Sequence, residues 1–464
     1  MENEARTHVL IVPYPGQGHI NPMHQFAKRI VSKGIKATLV VTKFISKSMH
    51  AETGKIGVEM ISDGYDDGGF TAAVSVDAYL SRFTTVGSET LTEVIKKQQS
   101  SGYPVSCVIY DTFIPWALDV AHGFGIQAGA FFTQSCAVNN IYYQFHEGHL
   151  DTPESYAAAD PTLPISIPGL PPLRPKDLPS FFYAPGYYGA YFKMLLNQYS
   201  NLKEADWIFV NTYKELEVEV VEYMAKDSPL RTIGPTLPSM YLDKRIPDDT
   251  DYKLNIYKPD SSLCMNWLNE KPNNSVVFVS FGSLAELGVE QMEELAYGLK
   301  QSNCYFLWVV RATTEEKLPS KFKEEVSEKG LIVRWSPQLE VLAHPALGCF
   351  VTHCGWNSTI EALSLGVPMV AMPQWTDQTT NAKFVQDVWG TGVRVSVDEN
   401  GIVKREEIEH CIKQVLEGER SVEIRKNAIK WRNLAKEALG EGGSSEKNFD
   451  EFISKLTPTP ELVI

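Results

Sequence analysis

The sequence predicts an α/β protein built from two doubly wound domains, each with a parallel sheet flanked by helices. The chain has 464 residues, which is too long for one ordinary hydrophobic core. Short apolar runs alternate with amphipathic stretches in both halves, a pattern typical of parallel strands joined by helices. Residues 241–262 are polar and aperiodic, which predicts an interdomain linker. The domains then span residues 1–240 and 263–442, with a C-terminal helix and tail at 443–464.

The first half contains five apolar runs with the length of buried strands. They read "HVLIV", "KATLVVT", "GVEMIS", "SCVIYD" and "AGAFFT" in chain order. Between the first two runs we predict a helix that begins at Asn21, with Asn as the cap and Pro22 in the first turn. This helix is expected to end near Gly34. The order strand, helix, strand is that of a parallel sheet with helical crossovers.

The second half repeats the pattern with six runs. They read "SVVFVSFG", "YFLWVV", "GLIVRW", "GCFVTH", "VPMVAM" and "GVRVSV". The stretch "STIEALSLG" is predicted to be a helix that Gly366 closes. The Pro-rich piece Thr162 to Pro179 is too long for a tight turn, so we predict a surface loop there.

Composition excludes several classes of partner. A formal net charge of −14 disfavours nucleic acid and anionic membranes, since both require a basic face. The start "MENEARTH" lacks the pattern of a secretory signal, and no apolar run is long enough to span a bilayer. Seven cysteines form no CxxC pair, which indicates reduced thiols and favours neither disulfides nor zinc. We therefore expect a cytoplasmic protein.

The segment "VPYPGQGHINPM" lacks the third glycine expected of a nucleotide-binding turn, and a histidine directly follows the second glycine. In a doubly wound sheet, ligands bind beyond the carboxyl ends of the first and fourth strands, where the strand order reverses. The first run leads into His19, and the fourth ends at Asp111. The two side chains are therefore predicted to meet. A carboxylate that orients an imidazole and stabilises its protonated form is what a general base requires.

A helix-capping role without chemistry is the alternative for His19, and for a lone histidine it would be the better interpretation. The match to Asp111 favours catalysis. Five other histidines lack such a partner, so we interpret them as structural or surface residues: His24, His122, His146, His149 and His410.

A second functional pattern runs from Trp335 to Gln378, "WSPQLEVLAHPALGCFVTHCGWNSTIEALSLGVPMVAMPQWTDQ". The turn "CGWNS" leads from a strand into a helix, and free N–H groups at such a helix start bind anions. His353, Asn357 and Ser358 add side-chain donors there.

Further along this segment the residue types suit a nucleotide sugar. Glu361 lies one helical turn after Asn357 and can accept hydrogen bonds from a ribose diol. Trp335 offers a flat face to a base ring. Asp377 and Gln378 supply an acceptor and an amide for hexose hydroxyls. Diphosphate, ribose, base and hexose all have candidate partners.

This segment resembles the signature of plant small-molecule UDP-sugar glycosyltransferases, with W-x-P-Q, L-x-H, H-C-G-x-N-S, E, G-V-P and D-Q at the family spacing. The stretches "GQGHINP", "FFTQS", "NTYKELE", "IGPT" and "SFGS" are also similar to family landmarks. The resemblance implies a GT-B fold, in which two Rossmann-like doubly wound domains face each other across a cleft. The first would bind the acceptor and the second the UDP-sugar, with the last helix returning to the first.

The resemblance assigns His19 as the general base and Asp111 as its charge-relay partner. It places Thr133 near the sugar, Ser283 at a phosphate and Gln338 at the ribose. For Gln338 and Trp356, packing or capping alone stays an alternative. The residues it assigns to donor binding are Thr133, Ser283, Trp335, Gln338, His353, Trp356, Asn357, Ser358, Glu361, Asp377 and Gln378.

The function implied is an inverting UDP-glucose-dependent glucosyltransferase acting on a hydroxyl of a small lipophilic metabolite such as a flavonoid, steroid or triterpenoid. A glucose ester of an aromatic acid stays open, because the chain most resembles a branch with both activities. The family associates a final Gln, here Gln378, with glucose, and its amide can donate to and accept from sugar hydroxyls. Aromatic candidates for the acceptor pocket, or alternatively for the core, are Tyr14, Phe83, Phe113, Phe132, Tyr183 and Tyr187.

UDP-glucose is expected as a co-substrate, with no cofactor and no metal, and we expect a monomer. Two other functions stay open at this stage. One is a nucleotide-sugar epimerase or hydrolase, which would need no acceptor pocket. The other is a non-catalytic UDP-sugar-binding protein, against which the His19 and Asp111 pairing argues.

Overall fold

The computed structural model describes residues 7–49, 54–184, 189–252 and 260–456. These residues form two compact units. Described residues within 7–173, 181–252 and 437–456 make up the first unit, and 174–180 and 260–436 the second. The end of the Pro-rich piece therefore belongs to the second unit, whereas the chain after residue 436 belongs to the first.

The strands follow the predicted apolar runs closely. Their bounds are β1 His8–Val12, β2 Lys36–Thr42, β3 Gly57–Ile61, β4 Cys107–Asp111, β5 Gln127–Phe132, β6 Trp207–Val210, β7 Leu230–Thr232, β8 Val276–Ser280, β9 Tyr305–Val309, β10 Gly330–Val333, β11 Leu347–Thr352, β12 Met369–Ala371 and β13 Gly392–Arg394. The sequence analysis missed β6 and β7. They have four and three residues, and they extend the sheet by pairing in parallel beyond β5.

Helices connect these strands. They are α1 Gln17–Ser32, α2 Lys43–Ser48, α3 Val76–Gln99, α4 Trp116–Gly123, α5 Cys136–His146, α6 Pro153–Ala158, α7 Gly189–Asn197, α8 Val218–Met224, α9 Ser261–Asn269, α10 Val289–Ser302, α11 Phe322–Glu325, α12 Gln338–Leu342, α13 Trp356–Leu365, α14 Gln378–Lys383, α15 Arg405–Leu416, α16 Arg420–Leu439 and α17 Ser444–Leu456. Within the described ranges, no helix is both long and apolar enough to cross a membrane.

Each unit contains one parallel sheet. The first has the order β3-β2-β1-β4-β5-β6-β7, and the second has the order β10-β9-β8-β11-β12-β13. In both, the order reverses between two central strands, β1 and β4 in the first unit and β8 and β11 in the second. The prediction of two Rossmann-like doubly wound domains is confirmed, and ligand sites are expected at these two reversal points.

The start of α1 differs from the prediction. The helix begins at Gln17, with extended Gly16 as its cap, and Pro22 lies inside it. Proline is tolerated at this place because its missing N–H removes only one intrahelical hydrogen bond near the helix start. The Gln17 amide also donates to Asn21 Oδ1 at 2.5 Å, one turn along. His19 consequently lies in the first turn of α1 and not before the helix.

Helix α17 completes the core of the first unit. Its Phe449 and Phe452 are fully buried and join the cluster that covers β1 and its neighbours. The ring centroid of Phe449 lies 5.5 Å from that of Phe26 in α1, and Phe452 lies 4.9 Å from Phe209 in β6. These aromatic contacts tie the end of the chain to the first sheet.

A buried carboxylate at the start of α17 strengthens this attachment. Glu446 is 5% exposed and contacts three cations, Arg29 Nη2 at 2.5 Å, Arg245 Nη1 at 2.9 Å and Lys33 Nζ at 3.1 Å. Burial lowers the pKa of Arg29, and Glu446 opposes that shift. Glu446 is therefore the main partner that keeps a buried guanidinium charged.

We predict that Glu446→Ala destabilises the first unit by about 3–5 kcal/mol, because it leaves the Arg29 charge buried without its main counterion. The free energy of unfolding from urea titration measures this. Glu451→Ala on the same helix is the control, since its ion pair with Arg231 is partly exposed and contributes about 1 kcal/mol or less. Equal losses in the two variants would contradict the prediction.

Candidate functional site

His19 and Asp111 lie at the reversal point of the first sheet. β1 and β4 are adjacent and parallel, with Val12 in register with Tyr110, so the residues that follow these positions emerge at the same edge. His19 Nδ1 lies 2.7 Å from Asp111 Oδ2, and Asp111 is fully buried. The other carboxylate oxygen accepts the N–H of Phe113 at 3.0 Å. Both oxygens of the carboxylate are therefore hydrogen-bonded, and its orientation toward the imidazole is fixed.

Thr133 joins this pair from the end of β5. Its Oγ1 lies 3.3 Å from His19 Nδ1, and its place near the sugar stays a prediction. Two oxygens therefore face Nδ1, which makes it the protonated nitrogen. No described residue hydrogen-bonds to Nε2, and the His19 side chain is 19% exposed. Nε2 is left as the basic nitrogen.

Aromatic rings surround the His19 imidazole. The ring centroids of Phe113 and Tyr14 lie 4.7 and 5.3 Å from that of His19, and Phe83 lies 6.4 Å from Tyr14. Burial raises the pKa of Tyr14 above its ordinary value, so its phenol is neutral. The surroundings of His19 suit an apolar or aromatic molecule.

The other predicted acceptor-pocket residues have different surroundings. Phe132 is buried and stacks on Tyr199 at 5.9 Å, which is a core contact. Tyr183 is partly exposed. Tyr187 lies outside the described residues.

One other histidine does have an acidic neighbour, contrary to the prediction. His122 Nε2 lies 3.2 Å from Asp206 Oδ2, with both side chains more than a third exposed. A solvent-exposed pair of this kind contributes little energy and orients nothing. Burial of the carboxylate distinguishes the His19 pair.

The reversal point of the second sheet holds the start of α13. β11 ends at Thr352, and Gly355 caps α13 from an extended conformation. A Cβ on Gly355 would lie 2.6 Å from His353 Nε2, and one on Gly282 would lie 2.9 Å from the same atom. Only glycine at both positions leaves room for the His353 ring.

Burial lowers the pKa of His353 to about 4, with the Ser280 carbonyl opposing the shift. Its ring is therefore neutral near pH 7. It can donate a hydrogen bond to an anion at the α13 start, but it brings no positive charge.

Gln338 connects α12 to α13. Its Nε2 donates to Glu361 Oε2 at 2.7 Å and to Ser358 Oγ at 3.1 Å, and Glu361 is 4% exposed. In this structure Gln338 therefore orients the Glu361 carboxylate. Trp356 is buried and lies 6.1 Å from Trp389 between ring centroids, which favours the packing role left open for it. Trp335 and Asn357, in contrast, are partly exposed.

The loop after β8 carries Ser283, whose position depends on a residue that the sequence analysis missed. Arg311 Nη1 donates to the Ser283 carbonyl at 2.5 Å, and its Nη2 donates to the Ala285 carbonyl at 2.7 Å. No local pattern marks Arg311 for this role, since it acts across 28 residues.

Asp377 and Gln378 lie at the start of α14. Gln378 Oε1 accepts the N–H groups of Gln374 at 2.9 Å and Trp375 at 3.1 Å. Its carbonyl is therefore occupied, and only its NH₂ group can serve a ligand. This corrects the expectation that the amide both donates to and accepts from a sugar.

Asp377 is held by Asn381, which donates to Asp377 Oδ2 at 2.8 Å and to the Cys354 carbonyl at 2.9 Å. The sequence analysis missed Asn381, although its spacing of four residues from Asp377 on a helix is a usable signal. Burial raises the pKa of Asp377 from 3.8 to about 6, with Asn381 and nearby N–H groups opposing the shift.

The described residues contain no group of three His, Cys, Asp or Glu side chains placed to hold a metal ion.

Comparison with known proteins identifies similar sequences. The family described as UDP-glucoronosyl and UDP-glucosyl transferase matches residues 183–437. UDP-glycosyltransferase 74F2 of Arabidopsis thaliana is 54% identical over 97% of this chain and 98% of its own. Flavonol 7-O-beta-glucosyltransferase UGT74F1 of the same plant is 52% identical over 98% of this chain and 99% of its own.

Solved structures of plant glycosyltransferases are also similar to this chain. Os79 from O. sativa in complex with UDP has a TM-score of 0.91 and 41% identity, covering 97% of this chain and 100% of that one. Phytolacca americana UGT2 with UDP-2fluoro-glucose and pterostilbene has a TM-score of 0.83 and 28% identity, with the same coverage. The predicted GT-B fold class and the resemblance to plant UDP-sugar glycosyltransferases are confirmed.

The Asp377 carboxyl predicts a pH-dependent stability difference. Because its pKa is raised in the folded state from 3.8 to about 6, its contribution to stability is present below about pH 4 and is lost as the pH rises through 6. Asp377→Asn cannot ionise. The unfolding temperature of the variant relative to wild type should therefore increase between about pH 4 and pH 7, measured by calorimetry.

Asp387→Asn is the control, because its unfolding temperature relative to wild type should change with pH in the opposite direction. Partial burial raises the pKa of Asp387, but its hydrogen bond to Lys383 and the other contacts outweigh this and lower it. That carboxylate stabilises the fold only once ionised, so the relative unfolding temperature of this variant should fall as the pH rises through its pKa. A pH-independent difference for Asp377→Asn would refute the assignment.

Proposed function

The chain belongs to the UDP-glucoronosyl and UDP-glucosyl transferase family, and from this premise we propose that it is an inverting glucosyltransferase that uses UDP-glucose. The acceptor is a hydroxyl of a small lipophilic metabolite. One observation carries the proposal, the 2.7 Å contact between His19 Nδ1 and the buried Asp111 carboxylate. That contact leaves Nε2 as a base beside aromatic rings.

In the proposed reaction His19 Nε2 takes the proton of the acceptor hydroxyl while its oxygen attacks the anomeric carbon of UDP-α-glucose. The bond from that carbon to the UDP oxygen breaks, and UDP leaves with the electron pair. A single displacement gives a β-glucoside. Asp111 accepts a hydrogen bond from the Nδ1–H group throughout and stabilises the imidazolium.

The second unit binds the nucleotide in this proposal. The start of α13, with the side chains of Asn357 and Ser358, binds the diphosphate, and the helix dipole favours the charge that develops on departing UDP. Trp335 stacks on the base. Glu361, oriented by Gln338 at 2.7 Å, accepts from the ribose. The hydrogen-bond donors at the start of α13 take the place of a metal ion at the diphosphate, so EDTA is expected to leave turnover unchanged.

The acceptor is of the aromatic or polycyclic class, such as a flavonoid, steroid or triterpenoid. Tyr14 and Phe113, both within 5.3 Å of the His19 ring centroid, support a flat apolar acceptor. The name of the 52% identical relative specifies a flavonol. A carboxylate acceptor, which would give a glucose ester, is the alternative that the first experiment distinguishes.

We place the protein in the cytosol, since all seven cysteines are free thiols. A monomer suffices for the proposed reaction.

His19→Ala should lower kcat on a phenol acceptor by roughly 10²- to 10⁴-fold, the usual contribution of a general base. UDP affinity by calorimetry should stay unchanged. On an aromatic carboxylate the loss should be smaller, because that acceptor is already ionised. Chromatography of the glucosylated products, with base treatment to cleave any ester, measures both.

His122→Ala is the matched control, because it removes a histidine from an exposed acidic partner, and it should retain wild-type turnover. Asp111→Asn should also be impaired on the phenol, since an amide stabilises the imidazolium poorly. Normal turnover of His19→Ala on the phenol would exclude His19 as the base.

The Gln378 amide predicts donor preference. Its NH₂ group can donate to one equatorial hydroxyl, and the inverted hydroxyl of galactose would leave that donor unmatched. A lost buried hydrogen bond costs about 1–3 kcal/mol, so kcat/KM should favour UDP-glucose over UDP-galactose by roughly 5- to 150-fold. UDP-glucuronate should be poorest, since no arginine is among the proposed hexose contacts.

Gln378→Glu tests the NH₂ group specifically, because a carboxylate still accepts the Gln374 and Trp375 N–H groups but cannot donate to the sugar. Its kcat/KM for UDP-glucose should fall roughly 10-fold or more with UDP affinity unchanged. Gln378→His should likewise lose glucose transfer without gaining efficient galactose transfer. Equal wild-type values for the two donors would mean that another residue selects the hexose.

A further inference from the structure

Glu217 is a buried acid that the proposed function does not use. It closes the stretch "NTYKELE" just before α8 and is 4% exposed. No described lysine, arginine or histidine forms an ion pair with it. Burial raises its pKa, opposed by hydrogen bonds that include the N–H groups of Ala137 and Cys136. A buried carboxyl without a counterion is costly, so its contacts require an explanation.

Those contacts lie at the start of α5. Glu217 Oε1 accepts the N–H of Ala137 at 2.8 Å, and Oε2 accepts the N–H of Cys136 at 3.1 Å. The Ser135 hydroxyl accepts the next N–H, from Val138, at 3.3 Å. The first three N–H groups of α5 therefore all bind side chains, and two of them bind Glu217, which is 80 and 81 positions away. Ser135 alone would be an ordinary cap, and Glu217 adds an acceptor for each of two further N–H groups.

The segment fixed in this way carries Thr133. Only Gln134 and Ser135 separate Thr133 from the first residue of α5. Asn139 Nδ2 also donates back to the Gln134 carbonyl at 3.2 Å, which restricts movement of the segment between Thr133 and α5. Thr133 Oγ1 in turn lies 3.3 Å from His19 Nδ1. A continuous set of short contacts thus runs from Glu217 to the imidazole.

We propose that Glu217 is a positioning residue for glucosyl transfer, which anchors the start of α5 so that Thr133 stays against His19 and restricts rotation of the imidazole. This inference rests on the proposed role of His19 as the base. The carboxylate touches neither substrate nor imidazole. It acts through the α5 N–H groups and Thr133.

A double-mutant cycle of Glu217→Gln and Thr133→Val tests the connection. Glutamine is nearly isosteric, but its NH₂ group faces an N–H and leaves one α5 donor unbound. Each single variant should lower kcat on a phenol acceptor roughly 10- to 100-fold, the effect expected of a misplaced catalytic group. KM for UDP-glucose should stay unchanged. Because both act through one contact, the double variant should be no slower than the slower single variant.

Glu219→Gln is the matched control, because Glu219 lies two residues away in α8 and is exposed; it should behave as wild type. If Glu217→Gln does not fold, Ser135→Ala replaces it in the cycle, since it removes one cap from the same helix start. Its loss of kcat should likewise disappear in the Thr133→Val background.

The inference is overturned if the kcat losses of the two single variants multiply in the double variant. It is also overturned if Glu217→Gln has wild-type kcat. The His19→Ala result separates this from a failure of the proposed function. If His19→Ala is inactive on the phenol while the cycle is multiplicative, only the role of Glu217 is wrong. If His19→Ala is fully active, the proposed base is wrong and the inference falls with it.

Discussion

Parallel pairing of β1 with β4 is the constraint on which the chemistry of the first unit depends. Because parallel strands deliver their carboxyl ends to the same edge, residues 92 positions apart meet with Nδ1 and Oδ2 2.7 Å apart. The turn before α1 lacks the third glycine of nucleotide-binding folds, and His19 follows its second glycine. No pyrophosphate is proposed at this turn, so the helix start presents a ring where other nucleotide-binding folds need bare backbone.

Buried carboxylates recur at the points where distant segments must stay in place. Glu446 joins α17 to Arg29 and Arg245, Asp111 orients His19, and Glu217 caps α5. Each such group costs desolvation free energy and is tolerated only where its oxygens are bound. Such a group fixes the direction of its hydrogen bonds, because a carboxylate with both oxygens bound has one orientation. Apolar packing alone would not set the aim of an imidazole or a hydroxyl.

The two reversal points use their helix starts differently. In the first unit α1 places His19 within its first turn, where its ring contacts the buried Asp111 carboxylate. In the second unit Gly282 and Gly355 let the His353 ring lie beside the start of α13. Burial keeps that second ring neutral by lowering its pKa to about 4. In the proposed function the same architecture serves proton transfer in one unit and anion binding in the other.

The sequence by itself determined the two doubly wound sheets, the meeting of His19 with Asp111 and the helix start after His353. These features are written in short apolar runs, glycines and strand order, which act over a few residues or through a general topological rule. Tertiary structure alone decided the pairing of β6 and β7, the hold of Gln338 on Glu361 and the direction of the Gln378 amide. A side chain's partner across many residues depends on where packing places both backbones, and no local pattern encodes that distance or that orientation.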